Sequence, residues 1–313
     1  MENLSMNTFE MFTNHVKEAV KNQLGDEYQI DLHKVNKNNG IVLTGISILS
    51  PNSSCNISPT IYLNNYYEAY CDEKISISFI IEDIISTYNK NKIDKKFDVS
   101  SFLNFENIKN KIIYKLINAE KNSELLKDIP HIPYLDLAIV FEVLISEEME
   151  TGENATILIH HNHTKLWNTS LEEIYNIAMK NTPNLLQYEI KNLKNLICDM
   201  LYTGDSVDEI NIQDNVDDII PMYVLSNKNK IHGASAILYP NLLADFARAV
   251  NNNLIIIPSS IHECILLPVN NTDEIEHIRI MIKEVNNTQL NAEEILSDNP
   301  YYFDKETGKL CKC

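Results

Sequence analysis

The chain has 313 residues, enough for two domains, and its 44% apolar and 22% charged residues are typical of a globular protein. Its seven glycines are scattered, which argues against the glycine-rich phosphate loops of dinucleotide-binding folds and P-loop nucleotidases. The net charge of −18 argues against direct binding of nucleic acid or of anionic membranes, because both need exposed lysine and arginine.

The N-terminal part shows the pattern of a helix, a hairpin and a second helix. Apolar residues at helical spacing over Phe9–Leu24 predict the first helix. Two strand-like runs, 28–35 and 41–49, flank Asn39-Gly40, and an Asn-Gly pair accepts the positive φ angles of a hairpin turn. Another apolar run at helical spacing follows. We therefore expect residues 1–129 to form a helix–hairpin–helix α+β subdomain.

The C-terminal part, residues 130–313, contains two segments of similar organisation. Residues 134–180 and 222–250 each show two strand-like runs and then a helical run, the second strand of the later segment being 234–239. An acidic stretch over 204–218, with no basic residue, is predicted to be an exposed linker. Because strands cluster as hairpins, we predict an α+β fold of mostly antiparallel sheet, built from β-hairpins packed with helices in two subdomains.

A loop of hydroxyl, imidazole and carboxylate side chains joins two apolar runs, 254–257 and 264–267, that are predicted to be buried strands. It contains Ser259, Ser260, His262 and Glu263. Nucleophilic catalysis needs a base within hydrogen-bond reach of the hydroxyl and a third group that orients the base. These residues are therefore the candidate catalytic residues of a hydrolase or transferase. The alternative is that they satisfy backbone groups of a tight turn.

Two other clusters contain metal-ligand side chains without a complete motif. His160, His161 and His163 are weak candidates for a metal site, since no H-E-x-x-H or C-x-x-C accompanies them. Cys311 and Cys313 offer two thiols for a soft metal or for oxidation, but we expect a C-terminal tail to fray. We therefore expect no cofactor and no metal. With no apolar signal segment at the N-terminus, we expect reduced thiols and a cytoplasmic protein.

One carboxylate, that of Asp136, stands within an apolar run that is predicted to be a strand. A carboxylate buried in a strand costs several kcal/mol unless it is paired or hydrogen-bonded. We therefore expect Asp136 to face the wet side of the sheet.

The acidity of the chain is concentrated in residues 130–313, which contain 12 basic and 27 acidic residues. A solvated, solubilising surface is one interpretation, and a surface that docks an unknown basic protein partner is the other. The candidate partner-binding residues are Asp205, Asp208, Glu209, Asp214, Asp217 and Asp218.

Several short motifs, in order along the chain, resemble a known family. They are ISPTIYLN (57–64), IPHIPYLDLAIVF (129–141), NATILI (154–159), MYVLSN (222–227), ILYP (237–240), PSSIHE (258–263) and LSD (296–298). Together they resemble the domain-of-unknown-function family numbered 5688, found in Gram-positive anaerobic bacteria. The resemblance implies a bacterial protein and implies no activity, cofactor or catalytic residue.

Three functional hypotheses from different classes follow from these observations. The first is an uncharacterised cytoplasmic bacterial protein with a non-enzymatic binding or regulatory role, because no complete catalytic motif accompanies the acidic C-terminal part. The second is a hydrolase or transferase that uses the loop of Ser259, Ser260, His262 and Glu263. The third is an acidic mimic of nucleic acid that binds a basic partner.

Overall fold

The computed structural model divides the chain into two compact units. It describes residues 8–51, 58–91, 102–145, 156–202, 221–270 and 274–313. The first unit is Met1–Lys37 with Ile41–Ser100, and the second is Asn38–Gly40 with Ser101–Cys313. The division falls at residue 100 and not at the predicted residue 129, because strand Ile112–Asn118 pairs with strand Leu137–Leu144 along its whole length. A boundary at 129 would separate two hydrogen-bonded strands.

The first unit is a three-stranded antiparallel sheet with helices. Its elements are α1 (Phe9–Leu24), β1 (Gln29–Asn36), β2 (Val42–Leu49), β3 (Thr60–Tyr62), α2 (Asn64–Cys71) and α3 (Ile77–Asn91). Thr8 caps α1, since its hydroxyl accepts a hydrogen bond from the Met11 amide at 3.2 Å. The strand order is β1-β2-β3. The turn between β1 and β2 places Asn39 at φ 60° and Gly40 at φ 70°, as the Asn-Gly pair predicts.

Helices of the first unit bury apolar faces on one small core. Phe12, Val16 and Val20 recur at helical spacing on α1 and are fully buried. They share a cluster with Ile46 of β2 and Ile84 of α3. The spacing that predicts α1 in the sequence is therefore the spacing that buries it.

The second unit contains two sheets and several helices. Its strands are β4 (Ile112–Asn118), β5 (His131–Tyr134), β6 (Leu137–Leu144), β7 (Thr156–Leu158), β8 (Tyr188–Asn192), β9 (Tyr223–Asn227), β10 (Asn253–Pro258), β11 (Cys264–Val269), β12 (Tyr301–Asp304) and β13 (Lys309–Lys312). Its helices are α4 (Phe105–Ile108), α5 (His161–Trp167), α6 (Leu171–Leu185), α7 (Leu193–Tyr202), α8 (Leu242–Val250) and α9 (Ile275–Thr288). Within the described ranges of both units, no helix has the length and apolar character needed to cross a membrane.

Both sheets of the second unit are antiparallel and share one core. One sheet has the order β4-β6-β5, with β7 also paired to β6, and the other has the order β13-β12-β10-β11-β9-β8. Buried residues of both sheets, such as Tyr114, Phe141, Leu254 and Tyr301, belong to one hydrophobic cluster. The predicted α+β fold of mostly antiparallel sheet is confirmed.

The second predicted hairpin–helix segment is only partly correct. Of the residues 234–239 that are predicted as a strand, all but Tyr239 lie in a 3-10 helix over Gly233–Leu238. This helix runs beside the open edge of β4, where the Ser235 hydroxyl accepts a hydrogen bond from the Leu116 amide at 3.0 Å. β9 pairs with β8 and β11 instead. The two predicted segments therefore contribute strands to different sheets.

The C-terminal tail is ordered into a hairpin rather than frayed. β13 pairs with β12 over four residues, with Cys311 opposite Tyr302. The Cys313 amide then donates to the Pro300 carbonyl oxygen at 3.1 Å. These pairings make β13 the edge strand of the larger sheet.

Candidate functional site

The predicted catalytic loop connects β10 to β11 and is stabilised by its own polar groups. Ser260 is buried, with 8% of the residue exposed, and its hydroxyl accepts a hydrogen bond from the His262 amide at 3.0 Å. The Ser260 amide donates to the Glu263 carbonyl oxygen at 3.1 Å. The Ser259 hydroxyl donates to the Glu263 carboxylate at 3.5 Å. Both serines therefore contribute to the turn, as the alternative interpretation of this loop proposes.

The His262 ring contacts residues other than the two serines. Its Nδ1 accepts a hydrogen bond from the His232 amide at 3.3 Å, and its backbone carbonyl accepts one from the Ser226 hydroxyl at 2.8 Å. Within the described part of the chain, no hydrogen bond joins the His262 ring to either serine hydroxyl. Burial lowers the pKa of His262, and nearby His232 lowers it further. The loop thus brings the four residues together, but it lacks the hydrogen bond between a serine hydroxyl and the His262 ring that a nucleophile and its base would form.

A second histidine, His232, lies against this loop although it is distant in sequence. The rings of His232 and His262 stack, with centroids 5.8 Å apart and planes 12° apart. His232 has φ 47°, a left-handed conformation that non-glycine residues rarely adopt. A Cβ on the next residue, Gly233, would overlap the His262 carbonyl oxygen and the Ser226 hydroxyl. Glycine at 233 therefore permits the close approach that stacks the two rings.

His232 also contacts a buried carboxylate, Glu142, which is the centre of a charged cluster. Lys115 Nζ donates to Glu142 Oε1, and His232 Nε2 lies 3.0 Å from Glu142 Oε2. The side chain of Glu142 is 4% exposed, that of His232 13% and that of Lys115 17%. Lys115 and Glu142 reach each other because they are diagonal neighbours on β4 and β6, where Ile113 is the residue opposite Glu142.

The electrostatics of this cluster keep Glu142 ionised. Burial alone would raise the pKa of Glu142, but the charge of Lys115 and the contact with His232 outweigh it and hold that pKa far below the ordinary value. The distance between His232 Nε2 and Glu142 Oε2 is that of an ion pair. Glu142 Oε2 nevertheless has no hydrogen-bond partner, so this contact lacks the angles of a hydrogen bond. His232 Nδ1 is likewise buried without one. The cluster is therefore a charge-compensated site whose polar atoms are incompletely satisfied.

Sequence reasoning missed Lys115, Glu142 and His232. Glu142 stands in the apolar run that forms β6. A carboxylate buried in a strand is costly unless it is paired, and this argument applies to Glu142 more strongly than to Asp136. The partners of Glu142 come from another strand and from a distant loop, which no local pattern reveals.

Asp136 lies in the turn between β5 and β6, and its carboxylate is hydrogen-bonded. Its carboxylate accepts hydrogen bonds from the Ser297 hydroxyl at 2.8 Å, the Asn299 amide group at 2.9 Å and the Tyr301 hydroxyl at 2.9 Å. The preceding residue, Leu135, has φ 54°, which forms the turn. The carboxylate is half-buried and is held by three donors from the Ser297–Tyr301 segment, so it lies in a hydrogen-bonded turn and not within a strand.

The three clustered histidines begin helix α5 instead of converging on one point. His160 is the residue before the helix, and its amide donates to His163 Nδ1 at 3.1 Å. The His163 ring also packs edge-on against Phe102 and tilted against Trp167. Burial lowers the pKa of His163, and His160 lowers it further. Among all described residues, no group of three or more His, Cys, Asp or Glu side chains is placed to hold a metal ion.

The candidate partner-binding carboxylates at 205–218 lie outside the described residues. Elsewhere, the first unit has a cleft of about 480 Å³ between the end of α1 and α3. It is lined by Gln23, Glu82, Ile85, Ser86, Asn89 and Lys90. No cluster of catalytic type lines this cleft.

Comparison with known proteins identifies the family of the chain but assigns no function to the residues described above. No curated protein and no solved structure matches the chain. The model of the family of unknown function DUF5688 matches residues 9–305, which include every described element except β13. The chain therefore belongs to the family of unknown function DUF5688.

Proposed function

We propose that the chain is a non-enzymatic protein of the bacterial cytoplasm that binds and regulates a basic macromolecular partner. The observation that carries this proposal is the charge of the second unit, whose sequence has 31 acidic and 17 basic residues. Such an excess steers a basic partner towards the unit and repels acidic macromolecules.

Ion pairs within the second unit leave its excess of negative charge unchanged. In the described residues, eight of its basic side chains lie within 4.0 Å of a carboxylate. They are Lys109, Lys115, Lys121, Lys127, Lys191, Arg248, Arg279 and Lys305. Each pair cancels one positive and one negative charge, so the carboxylates that remain in excess set the sign of the field that a partner meets.

The hydrogen bonds of the loop between β10 and β11 give its side chains a structural role. The hydroxyl of Ser260 and the Nδ1 of His262 both accept hydrogen bonds from backbone amides. A group that accepts such a bond serves to hold the turn, and the two rings of His262 and His232 stack to close it.

The test is salt-dependent capture by the full chain. We expect a defined protein to be retained from a bacterial lysate at about 50 mM salt and released at about 0.5 M, because screening shortens the range of exposed charges. Neutralising the six carboxylates at 205–218 to Asn or Gln should abolish capture. A matched control neutralises six exposed carboxylates of the first unit and should leave capture intact. The control residues are Glu10, Glu18, Asp26, Glu27, Glu68 and Glu82.

The outcomes separate the binding hypotheses. Retention that survives high salt, or that the control variant loses equally, contradicts a basic partner docked on 205–218. If duplex DNA added in excess displaces the captured protein, the partner is a DNA-binding protein and the chain acts as a nucleic-acid mimic.

A second candidate function rests on one contact, that of the Ser259 hydroxyl with the Glu263 carboxylate at 3.5 Å. A carboxylate that accepts from a serine hydroxyl can favour attack by that oxygen, so a hydrolase or transferase stays a prediction for this loop. A fluorophosphonate probe should then label Ser259 or Ser260, and Glu263→Gln should suppress labelling. Labelling no greater than that of an exposed serine elsewhere, such as Ser76, contradicts this function.

A further inference from the structure

Two thiols project from the same face of the edge strand β13. Cys311 lies on β13, and Cys313 follows it with its amide bonded to the Pro300 carbonyl oxygen at 3.1 Å. Side chains two residues apart on an extended chain share a face. Cys311 is opposite Tyr302, whose ring packs with the cluster that contains Ile278 and Ile282 of α9. The thiols therefore lie on the face that α9 partly covers.

The guanidinium of Arg279 lies near the Cys313 thiol. Burial raises the pKa of Cys313, neighbouring Cys311 raises it further, and Arg279 of α9 opposes both. Cys311 and Arg279 are therefore both within electrostatic reach of Cys313. Cys311 is exposed, Cys313 is half-buried, and the Cys311 thiol donates to the Tyr302 carbonyl oxygen at 3.6 Å. Solvent and small solutes can reach this pair.

The spacing of the thiols favours a bridging ion over a disulfide. Residues two apart on a strand have Cα atoms about 6.7 Å apart, at the upper end of the distances that disulfides span. A metal ion with sulfur bonds of about 2.3 Å joins sulfurs up to about 4.6 Å apart, which relieves that constraint. Thiolates select soft ions such as Cu(I).

We propose that Cys311 and Cys313 form a two-coordinate site for a soft monovalent metal ion of the Cu(I) type. Binding replaces both thiol protons, so that one Cu(I) and two thiols give a dithiolate complex of net charge −1 and two released protons. The guanidinium of Arg279, which is also paired with Glu276, offsets part of that negative charge. Two thiols suffice for this geometry, and no third ligand from the described residues joins them.

The proposal is tested by competition for Cu(I) supplied as its bathocuproine disulfonate complex without oxygen. The loss of the coloured complex measures transfer to the full chain, and intact mass spectrometry counts the bound ions. We expect the native chain to take one Cu(I) more than the C311S/C313S double variant does. Each single variant, C311S and C313S, should lose at least tenfold in affinity, because one thiolate cannot complete the site.

Matched controls keep the result interpretable. Cys71→Ser removes an exposed thiol of the first unit and should leave the transfer unchanged. Arg279→Gln should keep one ion per chain and lower its affinity about threefold, since a partly exposed charge that is also paired with Glu276 contributes modestly. Circular dichroism of the serine variants shows whether they fold.

Three results would overturn the proposal. The first is transfer to the native chain no greater than to a folded C311S/C313S variant. The second is a loss in Cys71→Ser as large as in C311S. The third is one ion for every two chains, which would indicate a site shared between copies.

Discussion

The buried cluster around Glu142 yields a sharp prediction about the stability of the second unit. Glu142→Gln removes the carboxylate that faces Lys115 and His232 and keeps the shape of the side chain. The ammonium of Lys115 then stays in its site without a counter-charge. Loss of one partner of a buried pair is strongly destabilising, because the remaining charge is desolvated without compensation.

The magnitude follows from the exposure of the three side chains. A fully buried pair loses about 3–5 kcal/mol when one partner is removed. The side chain of Lys115 is 17% exposed, and a long stem can move its ammonium towards water, so we expect about 3 kcal/mol for Glu142→Gln. Lys115→Met leaves the more deeply buried carboxylate with His232 alone and should lose about 4 kcal/mol. In the double variant K115M/E142L both charges are gone, and its stability should lie within about 1 kcal/mol of the native protein.

The assay is urea unfolding followed by tryptophan fluorescence. Trp167 is the one tryptophan of the chain and lies buried in the second unit, so its emission reports that unit without interference from the first. Glu284→Gln on the exposed side of α9 is the matched control and should change the free energy of unfolding by less than about 0.5 kcal/mol.

The pH dependence of the effect has a definite sign. The pKa of Glu142 is lower in the folded chain than its ordinary value of 4.5, so its stabilisation is present above about pH 4.5 and is lost as the pH falls below that. The difference between the native protein and Glu142→Gln should therefore shrink between pH 6 and pH 3. A loss below about 1 kcal/mol at pH 7 for Glu142→Gln, or a double variant as unstable as Glu142→Gln, would refute the reasoning.

Three further predictions concern other parts of the second unit. Gly233→Ala should destabilise it by about 1–3 kcal/mol, because the new methyl overlaps the His262 carbonyl oxygen; unchanged urea unfolding would show that the loop can shift. Asp136→Ala should lose about 2–3 kcal/mol, since the buried Tyr301 hydroxyl loses its acceptor, and calorimetry should show a smaller loss for Tyr301→Phe; equal losses would contradict this. In an NMR titration, the midpoint for protonation of His163 should lie below pH 6.5. Protonation of His163 should therefore lower the free energy of unfolding as the pH falls below 6.5. A midpoint at or above 6.5 would contradict the effect of its burial.

Most of the elements could be predicted from local patterns in the chain. The buried face of α1, the Asn39-Gly40 turn and the strands around the loop of 259–263 were all predicted correctly. The periods of 3.6 and 2 residues reflect which side chains share a face, and that is a property of the local backbone. The α+β fold followed from the way the strands cluster.

The candidate site was only half predictable. The sequence singled out His262 and its two serines, because they stand together in one loop. It could not show that the partner of the His262 ring would be His232, or that the serine hydroxyls would be taken up by the turn. A serine or a histidine looks the same in the sequence whether it belongs to a turn or to an active site. Only its neighbours in the structure distinguish the two roles.

By itself, the sequence determined the acidity of the chain, its antiparallel strands and most of its helices. The tertiary structure alone decided three things. Gly233–Leu238 is a 3-10 helix and not a strand, and the hydroxyl of its Ser235 accepts the hydrogen bond of the Leu116 amide at the edge of β4. The carboxylate of Asp136 is hydrogen-bonded because three donors from a distant segment reach it. Glu142 stays ionised inside a sheet because Lys115 and His232 meet there, and such charge compensation depends on distances in space and not along the chain.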